Sequence, residues 1–211
     1  MKDIPVFTTP YGVASLLLRE IPYRQEAYIR IQTVQPDNVD LLLQECMDFC
    51  RACGAERIYW SAAEVERQVH TSIYEMRGIA RTDPEMLEQL FPVTRETVLQ
   101  WRQLLNERMS GVDHAATVTA QDEHRLLESC GAYFVHRQGK LLGLGWLEDG
   151  KLLAVAALEK GAGERVMHTL MSLVDGQELV LEVASSNVPA IRLYEKLGFV
   201  KTREIRKWNK L

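Results

Sequence analysis

Two stretches of the sequence hold residue types that could do chemistry. Glu182 is a carboxylate within the short apolar run 178–183, and a charge there is costly unless it has a partner or borders a cavity. Gly161 and Gly163 stand where a strand pattern gives way to a helical one. Glycines at a helix start let backbone N–H groups approach an anion, which the helix dipole also favours. The patterns indicate a functional role for the carboxylate and a phosphate cradle at the glycines, but a surface-facing carboxylate and a plain turn explain them too.

The elements that carry these residues are predicted from local signals. The run 178–183 is branched and apolar, as a buried strand is. After a polar break at 185–187, Pro189 stands where the first turn of a helix tolerates proline. Gly198 ends that helix in the left-handed conformation, and Phe199 begins another strand. We therefore predict a strand–loop–helix–strand unit.

A meander of three strands is predicted just upstream of this unit. Its strands are 132–137, 141–147 and 152–158, and the Asp149-Gly150 pair between the last two is a strong hairpin signal. Segment 73–77 is predicted to be the opening strand of this part of the chain. Helical patterns are predicted at 84–90, 95–109, 122–129 and from Gly163 onwards.

The first seventy residues are predicted to form a smaller α/β subdomain. Extended segments at 14–21 and 27–34 precede a helix from Asp37 or Asn38 to Cys53 and a strand at 57–60. This order echoes the later strand–helix–strand order, so the segment is either a degenerate half-copy of the later fold or a supporting subdomain. We predict two domains, 1–70 and 71–211.

Composition excludes several other classes of protein. The formal net charge of −4 argues against a generic nucleic-acid binder, and no apolar run approaches the ~20 residues of a membrane span. The N-terminus lacks a signal-peptide pattern, which predicts a cytoplasmic protein. Cys46, Cys50 and Cys53 recur on an apolar helix face, so we interpret them as core residues rather than metal ligands.

The residues around Tyr194 carry a resemblance to a known family. Stretch 181–199 contains the pattern L-E-V-x-x-S-N-x-x-A-x-x-L-Y-E-K-L-G-F. It resembles the acetyl-CoA-binding half of the GCN5-related N-acetyltransferases (GNAT), in the version found in bacterial enzymes that acetylate the N-terminal alanine of a ribosomal protein. The positions that match the motif are Asn187, Ala190, Leu193, Tyr194, Gly198 and Phe199.

The resemblance implies an α/β (α+β) fold, a mixed, mostly antiparallel twisted sheet flanked by helices. Adjacent strands should splay after Leu158 and before Glu178, which would open a V-shaped cleft for acetyl-CoA. The pantetheine arm would pair with the backbone of the first of these strands like an added strand. Leu158 stands where the family usually has Gln or Arg, which leaves the phosphate contacts open. The implied cofactor-binding residues are Ala156, Ala157, Leu158, Lys160, Gly161, Ala162, Gly163, Glu164, Arg165, Asn187, Ala190 and Tyr194.

The resemblance also assigns roles in catalysis. Tyr194 matches the tyrosine that protonates the departing CoA thiolate, and Glu182 matches the glutamate that accepts the amine proton, directly or through water. A core aromatic, a surface carboxylate and, for Asn187, a helix cap are the alternatives. The implied activity is direct acetyl transfer from acetyl-CoA to a primary amine of a small molecule or protein in a ternary complex, without a metal. A homodimer is possible. The rival interpretations are a degenerate acyl-CoA-binding or protein-interaction module, and an acyltransferase with a longer acyl donor or a hydroxyl acceptor.

Overall fold

The computed structural model of the chain describes residues 1–62 and 69–211. It divides into two compact units, one formed by Met1–Ile73 with Ile205–Leu211 and the other by Tyr74–Glu204. The division into domains 1–70 and 71–211 stays a prediction, because a compact unit is not by itself an independently folding domain. Within the described ranges, no helix is both long enough and apolar enough to span a membrane.

The first unit is a sheet with one long helix on it. Its elements in chain order are β1 (Ile4–Thr9), β2 (Gly12–Leu17), α1 (Ile21–Arg24), β3 (Glu26–Val34), α2 (Val39–Ala52) and β4 (Arg57–Ser61). The sheet order is β1-β2-β3-β4, and β4 pairs antiparallel with the chain's last residues through Trp60 and Asn209. The sequence predicted β2, β3, α2 and β4 but missed β1. Its first extended segment was also too long, because the chain turns into α1 at Ile21.

The cysteines of α2 lie in the core of the first unit, as predicted. Cys46 and Cys50 are fully buried with Leu42 and Ile58, and Cys53 is partly buried. Burial raises the pKa of the Cys46 thiol to about 11 and that of Cys50 to about 12, so both stay protonated and apolar at neutral pH. The described residues contain no cluster of three or more His, Cys, Asp or Glu side chains that could hold a metal ion.

The second unit is a larger mixed sheet with helices on both faces. Its elements begin with β5 (Thr71–Ile79), which starts in the first unit, and end with β11 (Val200–Lys210), which finishes there. Between them lie β6 (Gln89–Pro92), α3 (Val98–Met109), α4 (Glu123–Ser129), β7 (Ala132–Arg137), β8 (Lys140–Glu148), β9 (Lys151–Ala157), α5 (Gly163–Met171), β10 (Glu178–Ala184) and α6 (Val188–Lys196). The strand order is β11-β5-β10-β9-β8-β7-β6. The ladders β6–β7, β7–β8 and β8–β9 are antiparallel and β9–β10 is parallel, which confirms the predicted mixed, mostly antiparallel sheet.

One prediction about the start of this unit was wrong. Residues 84–90 are not a helix, because a single 3₁₀ turn at Pro84–Met86 is followed by strand β6. Segment 73–77 is a strand, as predicted, and it lies within β5, the first strand of this unit in chain order. In the sheet β5 lies between β10 and β11, while β6 is the strand that borders β7.

Helices α5 and α6 cover one face of this sheet, and α3 and α4 cover the other. Leu181 and Val183 of β10 share a buried cluster with Val166 of α5 and Ile191 of α6. Trp101 of α3 and Leu126 of α4 share a second cluster with three strand residues of the opposite face, namely Phe134, Leu144 and Ala156. The strands that diverge to form the candidate site are therefore held in place by helices on both faces.

A charged network on β5 gives the second unit a defined pH dependence. The buried Glu75 carboxylate accepts hydrogen bonds from Arg77 Nε at 2.9 Å, Arg203 Nη2 at 2.7 Å and Thr202 Oγ1 at 3.1 Å. The bonds from Arg77 and Arg203 lower the pKa of Glu75 to about 2. Because the folded pKa is depressed, this carboxylate stabilises the fold above the unfolded value of ~4.3, and the contribution fades as the pH falls towards 2.

We therefore expect Glu75→Gln to be less stable than the wild type at pH 7, with a difference that narrows at acid pH. Urea unfolding at pH 7, 4 and 3 measures this difference. The control is Glu204→Gln, which neutralises an exposed glutamate on the neighbouring strand β11. A stability difference that is constant from pH 7 to pH 3 would mean that the Glu75 carboxylate is not held ionised by its partners.

Candidate active site

The predicted parting of two strands is present between β9 and β10. These parallel strands pair only at Lys151–Val180 and Leu152–Leu181. Beyond that point β9 continues to pair with β8 as far as Ala157. Leu153 is an extra residue in the β8–β9 ladder, and such a bulge bends and twists a strand. The bulge lies where the pairing with β10 ends, so the cleft opens inside the strands, beyond Leu152 and Leu181, and not after Leu158 and before Glu178 as predicted.

The backbone of β9 offers hydrogen-bonding groups to this cleft. The N–H of Leu158 donates to Leu142 O of β8 at 2.8 Å. Because backbone groups alternate in direction along a strand, those of Ala157 and Val155 point away from β8 and those of Ala156 point towards it. Of the three residues predicted to pair with pantetheine, only Ala157 therefore turns both backbone groups to the cleft. Val155, which was not predicted, does the same.

Arg108 is a second residue that sequence reasoning missed. Its Nε, on the last turn of α3, donates to Ala157 O at 2.8 Å. The guanidinium thus lies at the open edge of β9 and has further donors left. Nothing in the local sequence of α3 signals this contact, because Arg108 and Ala157 are 49 residues apart.

The loop between β9 and α5 has the features of an anion cradle. Gly161 has φ of 83°, a conformation that favours glycine. A Cβ on Gly163 would come within 3.1 Å of Leu193 Cδ2 on α6, so this glycine allows α5 and α6 to approach closely. The first backbone hydrogen bond of α5 runs from Val166 N to Ala162 O. The N–H groups of residues 163–165 are therefore left outside the helical ladder and available to an anion.

The charged side chains around the loop are differently placed. Lys160 is exposed and forms no ion pair with any residue that the structure describes. The carboxylate of Glu164 binds Lys196 Nζ at 2.6 Å. The guanidinium of Arg165 donates to Glu88 Oε1 at 3.1 Å and to the carbonyl of Glu85 at 3.2 Å. Lys160 is therefore the predicted basic side chain that is free to meet a phosphate, whereas the guanidinium of Arg165 is engaged and leaves only its backbone N–H available.

Asn187 and Ala190 form the start of α6. Asn187 Oδ1 accepts the backbone N–H of Ala190 at 3.3 Å, so the amide caps the helix. Pro189 occupies the first turn, as predicted. The capping role of Asn187, one of the two that the sequence left open, is present in the structure.

Tyr194 lies in the interior between α6 and the sheet. Its ring packs 6.1 Å from that of Phe199, and 7% of the residue is exposed. Burial raises the pKa of Tyr194 to about 12, because the charged phenolate would be poorly solvated there. The phenol consequently stays protonated at every pH at which an amine acceptor is examined.

Glu182 has a different environment from the one its sequence suggested. Its side chain is exposed and points away from the cluster that holds Leu181 and Val183. It has no hydrogen bond or ion pair within the described residues. The expected desolvation cost of a carboxylate in an apolar strand does not arise. Glu182 and Tyr194 thus lie on opposite faces of the sheet, Glu182 on the cleft strand β10 and Tyr194 on helix α6, which follows it.

Comparisons with known proteins agree with this geometry. Residues 98–199 match the sequence profile of the acetyltransferase (GNAT) family. A search of curated protein sequences found no significant match. Similar solved structures include a GCN5-related N-acetyltransferase from Sphaerobacter thermophilus (13% identity, 94% of this chain and 76% of that chain, TM-score 0.53). Another is a putative acetyltransferase from Pyrococcus horikoshii (13%, 96% and 69%, TM-score 0.56).

A third similar structure is a GCN5-related N-acetyltransferase from Anabaena variabilis (10% identity, 94% of this chain and 59% of that chain, TM-score 0.59). At such identities the structural likeness concerns the fold alone. The profile match covers α3 to the end of α6, which includes the cleft, the glycine loop and Tyr194. Over residues 98–199 the chain is therefore similar to the acetyltransferase (GNAT) family, and its fold is similar to that of solved acetyltransferase structures.

Proposed function

We propose that the protein transfers an acetyl group from acetyl-CoA directly to a primary amine in a ternary complex. The observation that carries this proposal is the early end of the β9–β10 ladder beside the glycine loop. After two residue pairs the ladder stops, and Val155 and Ala157 are left to pair with a pantetheine arm. The first-turn N–H groups of α5 are at the end of the same strand and would bind the pyrophosphate.

Acetyl-CoA would have to share the backbone carbonyl of Ala157 with Arg108. The Ala157 carbonyl already accepts from Arg108 Nε, and a carbonyl oxygen has two lone pairs. The pantetheine amide can therefore use the second lone pair, or replace the guanidinium. In either case Arg108 has donors left at the edge of the cleft.

The two proton steps are assigned to opposite sides of the cleft. Acetyl transfer requires a neutral amine, and the departing thiolate requires a proton or a strong hydrogen bond. Glu182 is accessible from solvent and would accept the amine proton, directly or through water. Tyr194 is buried on the other face and would donate to the thiolate. Side chains on opposite faces of a sheet can act on one ligand only where the strands have separated, which is the case here.

A thiol-release assay over a panel of primary amines tests the proposal, together with calorimetry of acetyl-CoA and CoA binding. We expect acetyl-CoA to bind and thiol to be released only with an amine present. Intersecting initial-velocity patterns are expected for a ternary complex. Binding without turnover would identify a degenerate module, and absence of binding would overturn the proposal. Turnover that is faster with longer acyl-CoA donors or with alcohols would identify the other kind of acyltransferase.

Glu182→Gln is expected to lower kcat by about 10²-fold at pH 7, because a carboxylate that removes the amine proton is replaced by an amide that cannot. The loss should shrink at pH 9 to 10, where more of the acceptor is already neutral. Glu178→Gln, an exposed glutamate at the start of the same strand, is the control. An equal loss in the two variants would argue against a specific role for Glu182.

A further inference from the structure

The sheet of the first unit has an aromatic cluster on the face opposite to α2. Ile29 and Trp60 point to α2, whereas their neighbours Tyr28 and Tyr59 point to the other face. Tyr28 and Tyr59 stack with ring centroids 5.3 Å apart, and Trp208 packs 4.9 Å from Tyr28. This face is built by strands β3, β4 and the last residues of β11, all within the first unit.

Two arginines converge on this aromatic face. Arg30 follows Tyr28 by two residues on β3, and it pairs with Ser61 of β4. Arg206 extends over Trp208, with its Cζ 5.4 Å from the ring centroid. Burial lowers the pKa of Arg30, and the positive charges of Arg206 and Arg19 lower it further. Side chains two residues apart on a strand point to the same side, so Arg30 and Arg206 share the face of Tyr28 and Trp208, and their positive charges repel each other.

Among the described carboxylates, only Asp3 offsets part of this charge, because its negative charge raises the pKa of Arg30. Arg30 Nε is buried and has no hydrogen-bond partner, and Arg206 forms no ion pair with the residues described. The nearby carboxylates are engaged elsewhere. Glu26 binds Tyr28, Arg24 and Arg57, and Asp3 binds Arg19 and accepts the backbone N–H of Leu18. A buried guanidinium nitrogen without a partner is costly, and it is uncommon in folded proteins.

We propose that Arg30, Ser61 and Arg206 form a binding site for a small oxyanion group, a phosphate or a carboxylate, on this face of the first unit. Guanidinium groups match the geometry of both anions with pairs of N–H donors. The Ser61 hydroxyl stands beside Arg30 and can donate a further hydrogen bond. A bound anion would give Arg30 Nε a partner and would relieve the repulsion between the two arginines. The site is separate from the glycine loop, which lies in the second unit.

Calorimetric titration of the full chain with inorganic phosphate, and separately with acetate, at matched ionic strength tests this proposal. We expect at least one anion to bind with saturation, and Arg30→Gln or Arg206→Gln to weaken that binding at least about tenfold. Lys210→Gln, which removes a positive charge from the same strand as Arg206, should leave it unchanged. Phosphate that binds at the glycine loop should still bind to these variants. Only the part of the binding heat that is lost in Arg30→Gln is therefore assigned to the proposed site.

The pattern across the two anions identifies the ligand class. Binding of phosphate alone points to phosphorylated ligands, and binding of acetate alone points to carboxylates. Circular dichroism melts of each variant verify folding, and Arg206→Gln decides the matter if Arg30→Gln does not fold. Absence of saturable binding, or binding that both arginine variants retain, would overturn the proposal.

Discussion

Tyr194→Phe is expected to lower kcat by roughly 10²-fold and to change the KM for acetyl-CoA by less than about threefold. A positioned proton donor contributes about 10²–10⁴ to a rate. The lower end applies here because burial has raised the pKa of Tyr194 to about 12. A thiol titrates near 8.5, so complete transfer of the phenolic proton to the thiolate is uphill by roughly 5 kcal/mol. A hydrogen bond to the developing thiolate does not carry that cost.

The thiol-release assay measures this loss, and Tyr133→Phe is the matched control. Tyr133 packs against the same buried cluster as Tyr194, but it lies on β7, away from the cleft. The control should retain nearly full activity. The activity of the wild type should also not fall through ionisation of Tyr194 below about pH 10, because the phenol stays protonated there. Full activity of Tyr194→Phe on a confirmed acceptor would remove the assignment.

The local unit around Tyr194 could be predicted from the sequence because its signals are local. Pro189 at the start of α6 and Gly198, with φ of 87°, after its end fix the helix bounds without any tertiary contact. The same holds for the hairpin at Asp149-Gly150, where both residues have positive φ. Recognition of the family depended on this stretch alone.

The position of β5 between β10 and β11 could not be predicted in the same way. Sheet order is decided by contacts between residues far apart in the sequence, such as Arg203 and Glu75. A strand pattern states that a segment is extended but not which neighbours it has. The helix predicted at 84–90 was wrong for a related reason. Strand β6 is only four residues long and is fixed by its pairing with β7, which a helical reading of isolated residues cannot anticipate.

The backbone groups of the cleft show a further limit of sequence reasoning. The tight hairpin pairs Glu148 with Lys151, and extending this register would give every later residue of β9 the wrong partner. The bulge at Leu153 shifts the register by one, so that Trp146 pairs with Ala154. A one-residue shift reverses which backbone groups face the cleft. The glycine loop could be predicted from the sequence. The residues of β9 whose backbone groups face the cleft could be identified only from the pairing of β8 with β9.

Gly131→Ala is expected to be the most destabilising glycine-to-alanine change in the second unit. Gly131 joins α4 to β7, and its carbonyl accepts the N–H of Leu147 at 2.9 Å. A Cβ added there would lie 1.7 Å from the carbonyl oxygen of Leu147 and 2.9 Å from its carbon. Backbone atoms cannot give way as a flexible side chain does. Strands β7 and β8 would have to separate at this point, with loss of the hydrogen bond.

We expect this variant to lose roughly 3–5 kcal/mol of unfolding free energy, from overpacking of about 1–3 kcal/mol together with a broken buried hydrogen bond and displaced neighbours. Urea unfolding at pH 7 measures the loss. Gly111→Ala is the matched control, because a Cβ at Gly111 meets nothing within 4 Å, and it should stay within about 0.5 kcal/mol of the wild type. If the two variants were equally stable, the close approach of β7 and β8 at Gly131 would be wrong. The support that β8 gives to β9, and with it the geometry of the cleft, would then need another explanation.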